Sequence, residues 1–244
     1  MFPYRDDNPT LETPVVTLLL IAVNAAVWIL VQGMGQDPAL ARSVCELGLI
    51  PGEFLGRVPP GTSLPLSPGE VCVLGVERHW FAPLTSMFLH GGWLHLIGNM
   101  WFLWVFGNNV EDSMGRVRYL AFYLLCGLAA AATQTFMSPS SIVPMVGASG
   151  AISGVMGAYV ILYPRVRVHM LVFLFVFVTR IVVPAYLMLG YWFLLQLLGG
   201  SAAQGEGGVA FWAHVGGFIA GAALISIFKD PELVQRHRAL ARYV

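Results

Sequence analysis

Charged side chains are scarce in this 244-residue chain: 13 Lys and Arg and 13 Asp and Glu make up 11% of it and cancel to a net charge of +0. Without a basic surplus there is no electrostatic footprint for nucleic acid. With 57% hydrophobic residues and a mean hydropathy of +0.72, the composition is not that of a soluble domain. Cysteine is equally sparse, and Cys45, Cys72 and Cys126 cannot make a metal cluster by themselves. The sequence carries no HExxH, and no Asp or Glu falls inside its apolar runs. These absences argue against a metal site built on His90, His95 and His214, and, with no internal repeat, against a transporter. No metal and no cofactor are expected. A basic leader is missing too, since Asp6, Asp7 and Glu12 outnumber Arg5, so the first apolar run reads as a retained span and not as a signal peptide.

What the chain has is apolar runs of spanning length. Six are read, at 14–31, 93–110, 119–136, 146–163, 181–198 and 209–228, which predicts an all-α membrane protein in a lipid bilayer. Residues 1–13 and 229–244 then form polar tails around a membrane domain at 14–228. Residues 32–80 make a long outer loop rich in Gly and Pro, in which Cys45 and Cys72 could pair on an oxidising side. The stretch 168–179, interrupted afterwards by Arg180 and Pro184, reads as an interfacial or partly buried approach to the fifth span. Ten of the Lys and Arg residues fall on the side of the two termini and three (Arg42, Arg57 and Arg78) on the other, so both termini are expected in the cytoplasm.

Depth can then be counted along the helices. Ser149 lies fourteen residues from Tyr163, His214 fourteen from Phe228, and His95 fifteen from Val110. At 1.5 Å per residue these are all roughly 21–22 Å, in a hydrocarbon layer roughly 30 Å thick. Three polar residues from three helices therefore share one level, with Asn99 a turn below His95 on the same face. Polar groups at such depth face one another or a water-filled cavity. A serine and a histidine together are a nucleophile and a general base; His95, Asn99 and the main-chain N–H of Ser149 are donors for an oxyanion. Gly147 and Gly150 flank the serine and leave room for a backbone to approach. Gly217 and Gly221 share one face with His214 and form a GxxxG that can pack against Gly150, Ser153, Gly154 and Gly157.

With His90-Gly91-Gly92-Trp93-Leu94-His95 followed by Asn99, Gly147-Ala148-Ser149-Gly150, and Ala213-His214 leading into Gly217 and Gly221, the sequence resembles a rhomboid intramembrane serine protease along its whole length. The resemblance implies a six-transmembrane-helix rhomboid-like bundle with the long outer loop between helices 1 and 2. It makes Ser149 the nucleophile, His214 the base, His95 and Asn99 oxyanion stabilisers, and His90 a structural residue near the site. It also implies a single-pass membrane protein as substrate, cleaved in or near its transmembrane segment, and a bacterial inner membrane as the location. A rhomboid-like protein that binds and escorts clients without cutting them is the alternative; such proteins lose the Ser or the His, and both are present.

Two positions depart from the family pattern. A Trp-Arg pair ahead of the first histidine is replaced by His79-Trp80-Phe81-Ala82-Pro83, and the aromatic ring that stacks on the base, four residues after the serine, is replaced by Ser153. Nothing in the sequence then says what orients His214. Elsewhere, Trp101, Phe102, Trp104 and Phe106 read as lipid-facing aromatics, His79 and His237 as solvated, His169 as interfacial, and Cys126 as packing. Glu111 and Asp112 are expected to pair with Arg116 or Arg118. The linker 199–208 reads as a movable outer cap.

Overall fold

The computed structural model describes residues 2–75, 79–174, 177–202 and 209–240. It is mostly helical. The helices are α1 (Val15–Leu30), α2 (Ala39–Leu47), α3 (Pro51–Phe54), α4 (Ala82–Thr85), α5 (Trp93–Met114), α6 (Arg116–Met137), α7 (Ser149–Leu162), α8 (Ala185–Ala202), α9 (Phe211–Phe228) and α10 (Pro231–Leu240). Among the described residues α6, α8 and α9 are long and apolar enough to cross a membrane, while α1 and α7 are apolar and shorter.

The central helices bury one stripe and expose another. On α5, Leu94, Ile97, Trp101 and Trp104 are exposed at helical spacing, and Leu96, Asn99, Leu103, Phe106 and Val110 are buried on the opposite face. Phe106 is therefore not lipid-facing: it packs edge-on against Tyr159 of α7 at a centroid distance of 5.0 Å. Its place seven residues after Asn99 already put it on the polar face. Gly115 alone separates α5 from α6, and its φ of +78° is one that a side chain resists.

α7 is the most enclosed helix, held between α5, α6 and α9. Its contact with α9 is backbone to backbone. A Cβ added at Gly217 would meet Gly150 of α7, one at Gly221 would meet Gly154, and one at Gly157 would meet Phe218 of α9. Small residues are what let two helices approach this closely.

Two small sheets were not anticipated by an all-α reading. β2 (Thr62–Ser67) and β3 (Glu70–Leu74) form a hairpin in the outer loop. Cys45 on α2 and Cys72 on β3 are disulfide-bonded with their Cα atoms 5.6 Å apart, a pairing that the sequence left open. The second sheet has the order β1-β4-β5, from Phe2–Asp6, Arg167–Leu174 and Phe177–Pro184. The stretch read as an approach to the fifth span thus falls in two paired antiparallel strands, and the helix after it starts at Ala185 instead of residue 181. Val168, Val172, Val178, Thr179, Ile181, Val182 and Val183 supply the β-branched side chains that favour strands. The third strand comes from the N-terminal segment, some 160 residues away in sequence.

The acidic pair at the end of α5 does not neutralise the neighbouring arginines. Glu111 accepts hydrogen bonds from the main-chain N–H groups of Val16 (2.9 Å) and Thr17 (2.8 Å) and from the Thr17 hydroxyl (2.8 Å), so it caps the start of α1 from a distant helix. Asp112 accepts from the N–H groups of Leu11 and Glu12. Arg116 lies 3.9 Å from Glu12, and Arg118 3.4 Å from Asp230. His169 pairs with Asp7 at 2.7 Å. His79 is half-buried. His237 is fully buried, its ring tilted against Tyr163 at a centroid distance of 4.8 Å and 3.4 Å from Asn109, because α10 folds back onto α5.

Candidate active site

Ser149 is the first residue of α7. The turn before it is made by Gly147, whose φ is +125° and whose N–H donates to the Ser86 carbonyl at 2.9 Å. Ala148 behind it is fully buried. A helix start leaves main-chain N–H groups without helical partners and carries partial positive charge, and the serine sits at that end.

His214 on α9 reaches this position across the close α7–α9 contact. Its Nε2 lies 2.8 Å from Ser149 Oγ. On the other edge of the ring, Nδ1 lies 2.8 Å from Gln196 Oε1, and the Trp192 ring flanks the imidazole at a centroid distance of 5.7 Å. Trp192 and Gln196 are both on α8, one turn apart. Ser153, which stands where an aromatic ring was missed, donates instead to the Ser149 carbonyl at 2.6 Å. Sequence reasoning did not find Gln196; the only signal was a lone amide inside an otherwise apolar run, and polar groups in such runs need a partner.

His95 and Asn99 come from the buried face of α5. The Gly91 N–H donates to His95 Nδ1 at 3.3 Å, which leaves Nε2 as the protonated nitrogen of a neutral ring. That nitrogen points toward Gly147: a Cβ added there would stand 2.7 Å from His95 Nε2 and 3.5 Å from Ser149 Oγ. The missing side chain at 147 therefore keeps a gap between a donor and the serine. Asn99 is buried, and its Nδ2 has no hydrogen-bond partner among the described residues.

His90 is buried and packs edge-on against His95 at 5.2 Å. Burial, with the neighbouring His95, pushes its pKa down to about 3, so the ring is neutral near pH 7. Its main chain is clasped by one side chain: Gln32 Oε1 accepts from the His90 N–H at 2.8 Å, and Gln32 Nε2 donates to the His90 carbonyl at 2.9 Å. Gln32, just past α1, is a second residue that sequence reasoning missed.

Ser149, His214, His95 and Asn99 open onto one cavity of about 680 Å³. Its walls include Trp192, Phe211 and Trp212, and Val44 and Leu66 of the outer loop also reach it. The loop therefore covers part of the site, and the Cys45–Cys72 bond ties its two cavity-lining pieces together. Of the proposed cap, residues 199–202 belong to α8, and 203–208 lie outside the described residues. Gly217 and Gly221 make the α7–α9 contact, Gly150 receives it, and Gly147 shapes the gap beside the serine.

Residues 77–230 match the Rhomboid domain family. The rhomboid protease GluP of Bacillus subtilis is 36% identical over 150 residues, which cover 61% of this chain and 27% of that protein. The mitochondrial rhomboid protein 1 of Saccharomyces cerevisiae is 29% identical over 181 residues, covering 58% of this chain and 52% of that one. The chloroplastic rhomboid-like protein 11 of Arabidopsis thaliana is 37% identical over 75 residues, with 31% and 26% covered. The matched segments thus span about a quarter to a half of these relatives.

Proposed function

The chain belongs to the rhomboid family, and on that premise we propose that it is an intramembrane serine endopeptidase in which Ser149 is the nucleophile and His214 the general base. The observation that carries this reading is the 2.8 Å contact between Ser149 Oγ and His214 Nε2 at the wall of a cavity large enough for a peptide segment.

The reaction proceeds by acyl transfer. Ser149 Oγ attacks the scissile carbonyl carbon while its proton passes to His214 Nε2. The oxyanion is met by the Ser149 N–H, His95 Nε2–H and Asn99 Nδ2, each of which is worth roughly 10²–10³ in rate when such a donor is preorganised. His214 then returns the proton to the leaving amine, and an ester to Ser149 remains. Water, deprotonated by the same imidazole, releases the new carboxylate and restores the serine. His90, clasped by Gln32 and packed on His95, holds the donor in place. No metal or cofactor takes part in these steps.

The substrates are single-pass membrane proteins cut in or near the transmembrane segment, a reading supported by the apolar side chains, such as Leu94, Ile97 and Ile219, that the site-bearing helices expose. In this reading α1, α5, α6, α7, α8 and α9 are six spans, so both termini lie on one side, and the excess of Lys and Arg there makes it the cytoplasmic side of a bacterial inner membrane. α1 and α7, at 16 and 14 residues, span only with their flanking segments.

A serine-reactive fluorophosphonate or isocoumarin probe tests the proposal on the purified full chain in detergent. Labelling is expected for the wild type and lost in Ser149→Ala and His214→Ala. If a control rhomboid reacts and this chain does not, the dyad reading fails and the client-escorting alternative takes its place.

A further inference from the structure

We propose that Gln196 is the positioning residue of the base: it holds His214 in the tautomer that can accept the serine proton, the role a carboxylate plays in a Ser-His-Asp triad. The inference rests on the protease reading above and deepens it.

The argument starts with the amide. Gln196 is buried on α8, and its Nε2 donates to the Trp192 carbonyl at 3.2 Å, one turn back on the same helix. That bond decides which end of the amide faces the imidazole, so the group 2.8 Å from His214 Nδ1 is the oxygen. An amide oxygen only accepts. Nδ1 must therefore carry the proton, and Nε2 presents its lone pair to the Ser149 hydroxyl at 2.8 Å. In the other tautomer two lone pairs would face each other across the same 2.8 Å, and a ring N–H would meet Ser149.

The face of the ring is held from the same helix. Trp192 lies beside the imidazole with an interplanar angle of 39° and is backed by Phe218 of α9 at 6.1 Å. Edge and face are thus fixed by two residues at i and i+4 on α8, and the helix that carries the nucleophile supplies neither. Ser153, occupied with the Ser149 carbonyl, has no part in it. An amide does this without burying a charge, a cost that a carboxylate at this depth would impose.

The test is ¹⁵N-histidine NMR of the full chain in detergent micelles beside inactivation kinetics with the serine probe. Wild type is expected to show His214 as the Nδ1–H tautomer. Gln196→Met keeps the length of the side chain and removes the acceptor; it should lose that single tautomer and inactivate about tenfold more slowly, with probe affinity unchanged. If Gln196→Met does not purify folded, Gln196→Asn withdraws the oxygen by one methylene and carries the same expectation. A wild-type tautomer and rate in the variant without the acceptor overturns the proposal. Failure of the protease reading looks different: the wild type is not labelled, while the tautomer spectra still decide the role of Gln196.

Discussion

Gly217→Ala is the sharpest test of the geometry, because one methyl acts on both Ser149 and His214 through the helix contact that brings them together. The new Cβ would overlap the Gly150 carbonyl oxygen and stand 3.0 Å from its carbon and 3.4 Å from Ser153 Cβ. Ordinary carbon contacts lie at roughly 3.5–4.0 Å, so α9 and α7 must part by about 1 Å. Gly150 follows Ser149 directly, and Gly217 lies three residues after His214. The 2.8 Å bond between Ser149 and His214 then stretches past the roughly 3.2 Å limit of a hydrogen bond. A displacement of that size costs about a hundredfold in rate. Stability should change far less: overpacking costs about 1–3 kcal/mol, and replacing a helical Gly by Ala returns up to about 1. The assay is second-order inactivation by the serine probe, read beside the thermal melt, with Gly190→Ala as control because nothing lies within 4 Å of its added Cβ. If Gly217→Ala is inactivated as fast as the control, the α7–α9 contact does not set the dyad distance.

Three further outcomes follow from other parts of the molecule. Gly147→Ala places a methyl 2.7 Å from His95 Nε2, in the gap beside Ser149, and strains a φ of +125°; probe labelling should fall at least tenfold, and a normal rate would mean the gap is not used. Cys45→Ser, or reduction, opens a cross-link spanning 27 residues, worth about 3.5 kcal/mol by the loop-entropy estimate; limited proteolysis should then cut the outer loop before the helices, and an unchanged digest would refute this. Burial raises the Asp6 carboxyl to about 6 from 3.8, against a hydrogen bond from the Tyr159 hydroxyl. Because the folded state holds this proton more tightly than the unfolded one, the contribution is full below pH 4 and lost as pH rises through 6. Docking of β1 should weaken by about 2 kcal/mol across that window, after allowance for partial exposure; hydrogen exchange of the β1 amides measures it, and Asp6→Asn should flatten it.

The polar residues of the candidate site were legible in the chain because a membrane makes them conspicuous. In apolar runs, Ser149, His95, Asn99 and His214 each demand a partner, and a fixed rise per residue converts position into depth. The glycines at 150, 154, 217 and 221 likewise announced which helix faces meet, since only a missing side chain admits backbone to backbone. The Rhomboid resemblance rested on those same residues, and the family match covers them. The sequence could not show which distant groups satisfy each polar atom. Glu111 caps α1 from about 95 residues away, β1 completes a sheet with strands some 160 residues on, and Gln196 and Trp192 hold His214 from another helix. Helical periodicity and depth are local properties that each run carries alone. Hydrogen-bond partners across helices are settled only when packing chooses their rotation, and that choice belongs to the whole fold.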